Sequence, residues 1–260
     1  MRTLLKHVTR VFLSHKILTF MLGVVLLLSS FVYAYISVGI GTVENASETY
    51  FETYVQEDIA IGTSDALTTF DMENADAGCA LSQVSSLSML SRVDRDCYES
   101  VVSNRVSRLE SVAPSLTYEA RFFKDLSFEN GHNVRMMTMN DTVNITKIGS
   151  GSMPEEDEIG ISRAYADANS ISIGDTIKVN GRTLEVSAFV LFPDYTLPVF
   201  ADPLMFNGRM QTPALVSDAT FDTFDAFTGV HIGAAGDNVG ASKNTLEEAR
   251  KDGVSRRIDL

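Results

Sequence analysis

Four histidines, two cysteines and one dense acidic run are the residues of this chain best suited to chemistry. His7 and His15 stand among basic residues near the N-terminus, His132 falls in an expected turn, and His231 in a Gly-rich stretch; neither of the last two has a motif partner. No G-x-S-x-G, H-E-x-x-H or Walker A sequence occurs, and Gly240-Ala241-Ser242-Lys243 lacks P-loop spacing. No catalytic residue and no cofactor-binding residue is therefore assigned. Glu155-Glu156-Asp157-Glu158 concentrates carboxylates without the alternating ligands and central glycine of a calcium loop, and reads as a solvated cluster. Met136, Met137 and Met139 would suit a soft metal, but their spacing fits strand positions that fill a core. No metal ligand is assigned.

Cys79 and Cys97 are the only cysteines. If they pair outside the cell they close a loop of about 19 residues, a stabilisation on the order of 3 kcal/mol. Two free thiols are the alternative reading.

These residues depend on elements set out by one apolar run, Ile17 to Val38, which no charge interrupts. Its length as a helix is roughly 33 Å, enough to cross a hydrocarbon core of about 30 Å. Arg2, Lys6, Arg10 and Lys16 precede it and no acid appears before Glu44, so the positive-inside rule puts 1–16 in the cytoplasm and the bulk of the chain outside. The run is too long for a cleaved signal, and Tyr33 and Tyr35 suit the outer interface. In the leader, Leu4, Leu5, Val8, Val11 and Phe12 recur at helical spacing, fitting either an interfacial helix or a plain cationic flank. The whole chain carries −13, but four of its 21 basic residues lie in the leader, leaving 17 against 34 acids, or −17, outside. That balance excludes nucleic acid as a natural partner.

A stalk, 39–57, is expected to continue as a helix with Ala46, Tyr50, Phe51, Tyr54 and Val55 on one face. Asp58 to Thr63 reads as a strand, and the polar segment through Asp71, Glu73, Asn74 and Asp76 as a loop. Tyr98 to Val112 carries a helical stripe that Pro114 ends. Leu116 to Phe128 and Val134 to Thr138 flank Asn130-Gly131 and predict a hairpin with a type I′ turn. A second hairpin is predicted around Asn180-Gly181, pairing Val179 with Arg182 and Ile177 with Leu184, with Ala188 and Val190 continuing the same apolar face. Between the hairpins, Glu158 to Ile161 reads as a strand and Ser162 as the cap of a short helix through Asn169. Strands and helices are interspersed, so the expected class is α+β, with domain 58–228 divisible near 149–152 and followed by a Gly-rich, polar segment, 229–260.

Met153 to Asn169, then Ile173-Gly174-Asp175-Thr176-Ile177, then Phe192-Pro193-Asp194-Tyr195 resembles the extracytoplasmic domain of FtsX-like ABC transporter permeases, the MacB-type periplasmic core domain. The matched positions are Pro154, Glu158, Ile159, Tyr165, Ala166, Gly174, Asp175, Pro193, Asp194 and Tyr195, and their expected roles are structural. Gly174 suits a positive φ, Asp175 a backbone hydrogen bond, and Pro193-Asp194-Tyr195 a strand stop. Two departures stand out: the glycine expected ahead of Pro154 is displaced to Gly149-Ser150-Gly151, and the polar tail Lys243 to Leu260 holds no second span where the family continues into further helices.

The resemblance implies a permease subunit in a bacterial cell membrane, a dimer of such chains, and a separate cytoplasmic ATPase binding ATP and Mg²⁺. It also implies an exterior domain that couples ATPase-driven motion to export or to an extracellular partner. A stand-alone single-span receptor or adaptor fits the same topology. An anchored hydrolase would need a nucleophile or carboxylate pair that the sequence does not offer.

Overall fold

The computed structural model describes residues 16–76, 78–195, 207–237, 239–240, 242, 245–246 and 255–259. The leader, with His7 and His15, and much of the tail lie outside them. The described chain forms two units, 1–52 and 53–260.

The first unit is the helix α1, Lys16–Thr53. Its stretch Phe20–Thr53 is long and apolar enough to cross a membrane, with a mean hydropathy of 2.1 and none of its most apolar window buried within the protein. Leu27, Phe31, Tyr33 and Tyr35 are exposed, as side chains meant for lipid would be. The expected stalk continues the helix without a break as far as Thr53. Tyr54 and Val55 lie beyond it, and Val55 has a φ of 46°, so the predicted five-residue face stops at Phe51.

The second unit is α+β, built on one mixed sheet. Its strands are β1 (Ile59–Thr63), β2 (Leu116–Ser127), β3 (Asn133–Met137), β4 (Lys147–Gly151), β5 (Glu158–Ser162), β6 (Thr176–Val179), β7 (Arg182–Leu191), β8 (Gln211–Leu215), β9 (Gly229–Gly236) and β10 (Ser255–Asp259). Their order is β10-β1-β9-β2-β3-β8-β5-β7-β4, and β6 pairs with the other half of the β7 edge that holds β4. Pairing is antiparallel except for β3 with β8 and β5 with β7. The helices are α2 (Thr69–Asn74), α3 (Leu87–Val93), α4 (Arg95–Val112), α5 (Arg163–Asn169) and α6 (Asp218–Asp222).

One core packs Val134, Met136, Ile159 and Ala214 with Tyr165 of α5 and Phe221 of α6. A second packs Leu109 of α4 on Ile59, Ile61 and Ile232. A third joins α3 and α4 through Leu90, Tyr98 and Val101. Met137, Ala188, Val190 and Leu215 form a fourth cluster. Neighbouring Met136 and Met137 thus enter different clusters, as the pleat requires of consecutive strand residues. Cys79 and Cys97 are joined as a disulfide, with Cα atoms 5.6 Å apart, tying the loop after α2 to α4.

The second hairpin has both turn residues at positive φ, Asn180 at 46° and Gly181 at 84°, and pairs Val179 with Arg182 and Ile177 with Leu184. The first does not form a type I′ turn. Phe128 N–H donates to His132 C=O and Gly131 N–H to Phe128 C=O, leaving a three-residue loop in which Gly131 alone, at φ 80°, is left-handed. Four further expectations are corrected. The expected polar loop at 71–76 overlaps α2, because Thr68 and Asp71 form a capping box that starts the helix. The β5–β7 register jumps between Ile159 and Gly160, a bulge opposite that leaves Ser187 as an extra residue. Phe189 therefore joins Leu184 and Val186 while Ala188 and Val190 turn to the other cluster. Gly149 to Gly151 lie in β4, paired with β7, rather than in a joint. The segment 229–260 is no appendage, since β9 lies between β1 and β2 and β10 pairs with β1.

Candidate functional site

The four residues that follow α1 are held on the sheet domain by a short ladder. Ile145 N–H donates to Tyr54 C=O and Asn144 N–H to Val55 C=O, at 2.9 and 2.7 Å. Gln56 donates its side-chain amide to Pro193 C=O, 3.1 Å. Glu57 N–H donates to Asn144 Oδ1, and Asn144 Nδ2 donates back to Glu57 Oε2, at 2.9 and 2.8 Å. The same Oε2 lies 2.6 Å from His231 Nε2 on β9.

Two glycine facts explain how a central strand approaches so closely. A Cβ at Gly233 would lie 2.6 Å from Glu57 Oε2 and 2.9 Å from Asn144 Nδ2, and one at Gly229 would meet the Phe123 ring. The loop that presents Asn144 is pinned in turn by Glu119, whose carboxylate accepts the N–H groups of Asp141, Thr142 and Val143 at 2.7–2.9 Å.

Behind this ladder lies a buried ion pair. Arg121 of β2, directly across from His231 in the β2–β9 register, donates Nη1 to both oxygens of Asp194 at 2.8 and 2.7 Å. Its Nη2 donates to Asn144 C=O, and its guanidinium lies 5.6 Å from the Phe192 ring. The two side chains are only 1% and 3% exposed. Glu57, Asp194, Arg121 and His231 thus bring two anions, one cation and one imidazole together, and the set is neutral when His231 is protonated.

Burial raises the Asp194 carboxyl above its ordinary value of 3.8, against the pull of Arg121. Burial would lower His231, but the hydrogen bond and charge of Glu57, helped by Asp194, prevail and raise it above 6.5. A group raised on folding contributes stability that is complete below its unfolded pKa and is lost as pH climbs through the folded one. His231→Asn is therefore expected to cost most at about pH 6 and progressively less towards about pH 9, read as the gap between denaturation midpoints of wild type and variant. A gap independent of pH would refute the charged pair.

Of the ten motif positions matched in the sequence, only Pro193, Asp194 and Tyr195 belong to this site, and the candidate histidine His231 joins them. Tyr195 OH accepts from Arg135 Nη1, 3.1 Å, and its ring meets Phe192 edge-on. The others build the neighbouring core. Ile159 and Ala166 are fully buried and Tyr165 stacks on Phe128; Pro154 lies against Gly160. Glu158 Oε2 accepts Glu155 N–H, Gly174 has a φ of 91°, and Asp175 accepts Ser172 N–H. His132 Nδ1 lies 3.0 Å from Tyr165 OH. Among the described residues no group of three or more His, Cys, Asp or Glu is placed to hold a metal ion. Glu57, Arg121 and Asn144 carry no sequence signal of a site, and His231 stands in the sequence without a motif partner because Glu57 lies 174 positions away.

No protein-family model and no curated protein matches this chain. Among solved structures it is similar to the extracellular domain of the noncanonic ABC-type transporter YknZ from Gram-positive bacteria, at 12% identity and a TM-score of 0.37, over 60% of this chain and 86% of that one. It is also similar to the periplasmic region of MacB from Actinobacillus actinomycetemcomitans, at 10% identity and a TM-score of 0.35, over 77% and 86%.

Proposed function

We propose that this chain is the N-terminal part of a permease subunit of an FtsX-like ABC transporter. Its first helix crosses the bacterial cell membrane with the N-terminus inside, and its sheet domain passes motion between the span and an exported substrate or extracellular partner. The observation that supports this reading best is the ladder at 54–57. Residues 54–57 make four hydrogen bonds to Asn144 and Ile145 and one to Pro193 C=O, and Glu57 forms an ion pair with His231 of β9. Within the sheet domain, its first residues are therefore fastened to an interior strand rather than left as a slack segment.

The sheet domain performs no bond chemistry in this reading, and ATP hydrolysis belongs to a separate cytoplasmic subunit. Cross-linking of the full chain in its own membranes, followed by purification, is expected to recover a Walker A ATPase and a second permease chain. Glu57→Gln is expected to keep that complex together while lowering transport per ATP hydrolysed. Hydrolysis by this chain alone would overturn the proposal, and so would a membrane partner with no ATPase, which favours the receptor or adaptor reading.

A further inference from the structure

Away from the ladder, one buried amine stands out by the partners it has. Lys124 of β2 is 4% exposed. Its Nζ donates to the carbonyls of Phe221 and Phe224, each at 2.8 Å, and lies 4.3 Å from the centre of the Phe221 ring. Those contacts cap the C-terminal end of α6 and use two of the three N–H groups of an ammonium. No carboxylate lies within ion-pair distance of Nζ among the described residues.

The amine borders a cleft of about 400 Å³ whose other charged lining groups are Arg92, Arg95, Asp222 and Asp225. Both carboxylates are already engaged: Asp225 is held by Arg92 at 3.0 Å and Asp222 by Arg95 at 3.3 Å. Glu99, outside the lining, also holds Arg95. Three cations line the cleft against two carboxylates, Glu99 supplies the third carboxylate from outside it, and the cation without a direct ion pair among the described residues is the buried one, Lys124. Burial, and then the charge of Arg95, lower Lys124 from 10.5 to about 8. A buried cation without an anion is costly, and an oxyanion is the ligand that removes the cost.

We propose that this cleft binds an oxyanion, a phosphate or carboxylate group, with Lys124 at its base and Arg92 and Arg95 at its rim. The volume accommodates a small ligand bearing such a group. On binding, the third Nζ hydrogen gains an acceptor and the two arginines exchange an exposed aspartate for the ligand. The site is separate from the ladder, and its test does not depend on the transporter reading.

The full chain in detergent micelles, labelled with ¹³C-lysine, is titrated with pH by following Lys124 Cε, with inorganic phosphate in one series and acetate in another. Sodium chloride at matched ionic strength is the reference. The Lys124 midpoint is expected to climb saturably from about 8 towards 10.5 in at least one series, and the series that responds names the oxyanion. Arg92→Gln, at a side chain 42% exposed, is expected to fold and to need about tenfold more anion. No movement beyond the chloride reference in either series, or an unchanged midpoint response in Arg92→Gln, overturns the site.

Discussion

Arg121→Met is expected to destabilise the sheet domain by about 3–5 kcal/mol, the range found when one member of a buried ion pair is removed. Asp194 would be left almost fully buried with both oxygens deprived of Arg121, and Asn144 C=O would lose its donor. The chain has no tryptophan, so near-ultraviolet circular dichroism of its tyrosines in a denaturant titration is the natural readout. Asp194→Asn in the Arg121→Met background is expected to recover a large part of the loss, because a neutral amide tolerates burial better than a lone carboxylate. The variants also separate two roles. If Arg121 only stabilises the fold, the double variant regains transport along with stability; if it holds Asn144 and the 54–57 ladder in place, stability returns and coupling does not. A loss under about 1 kcal/mol in the single variant would mean that water reaches Asp194, and the buried pair would have to be abandoned.

How much of this was legible beforehand follows the range of the interactions. Local chemistry read well: Ser162 does cap α5 by accepting Tyr165 N–H, and Asn180-Gly181 makes the turn its sequence demands. The same dipeptide reading failed at Asn130-Gly131, where the backbone closes a three-residue loop, because Asn-Gly serves either turn and only the strand register chooses between them. The apolar alternation of β7 was visible, but not the extra residue at Ser187 that reverses it, since a bulge is fixed by the neighbouring strand. The ladder was illegible for a plainer reason. Glu57 and His231 lie 174 positions apart, and no local pattern joins them. The glycines of β9 register in the sequence only as a Gly-rich segment, because Gly229 and Gly233 answer to the space taken by Phe123, Glu57 and Asn144, which belong to other segments.

Arg105→Met is expected to cost a similar amount, about 3–5 kcal/mol, and to remove the part of the domain's acid sensitivity that Asp71 contributes. Arg105 sits within the helical stripe of α4 where an apolar residue would be ordinary, and both it and Asp71 have fully buried side chains. The guanidinium donates Nε to Asp71 Oδ1 at 2.9 Å and Nη2 to Oδ2 at 2.7 Å, and its remaining contacts are the carbonyls of Ser64 and Ala66. One side chain therefore fastens α4 to α2 and to the chain leaving β1. Burial pushes the Asp71 carboxyl up, but the Arg105 hydrogen bonds, Thr68 N–H and the charge of Arg105 outweigh it, and the net shift is downward from 3.8. A carboxylate depressed on folding contributes stability that is present above its unfolded pKa and lost as pH falls through the folded one. Wild type should therefore weaken as pH drops below about 4. Without Arg105, burial acts on Asp71 with fewer opposing groups, its pKa rises, and the variant should gain stability relative to wild type over the same descent. Arg105→Met with Asp71→Leu tests whether the pair stabilises or specifies: a double variant close to wild type in stability would show that the charges mainly select this arrangement of α2 on α4. Parallel acid profiles for wild type and Arg105→Met would refute the pairing itself.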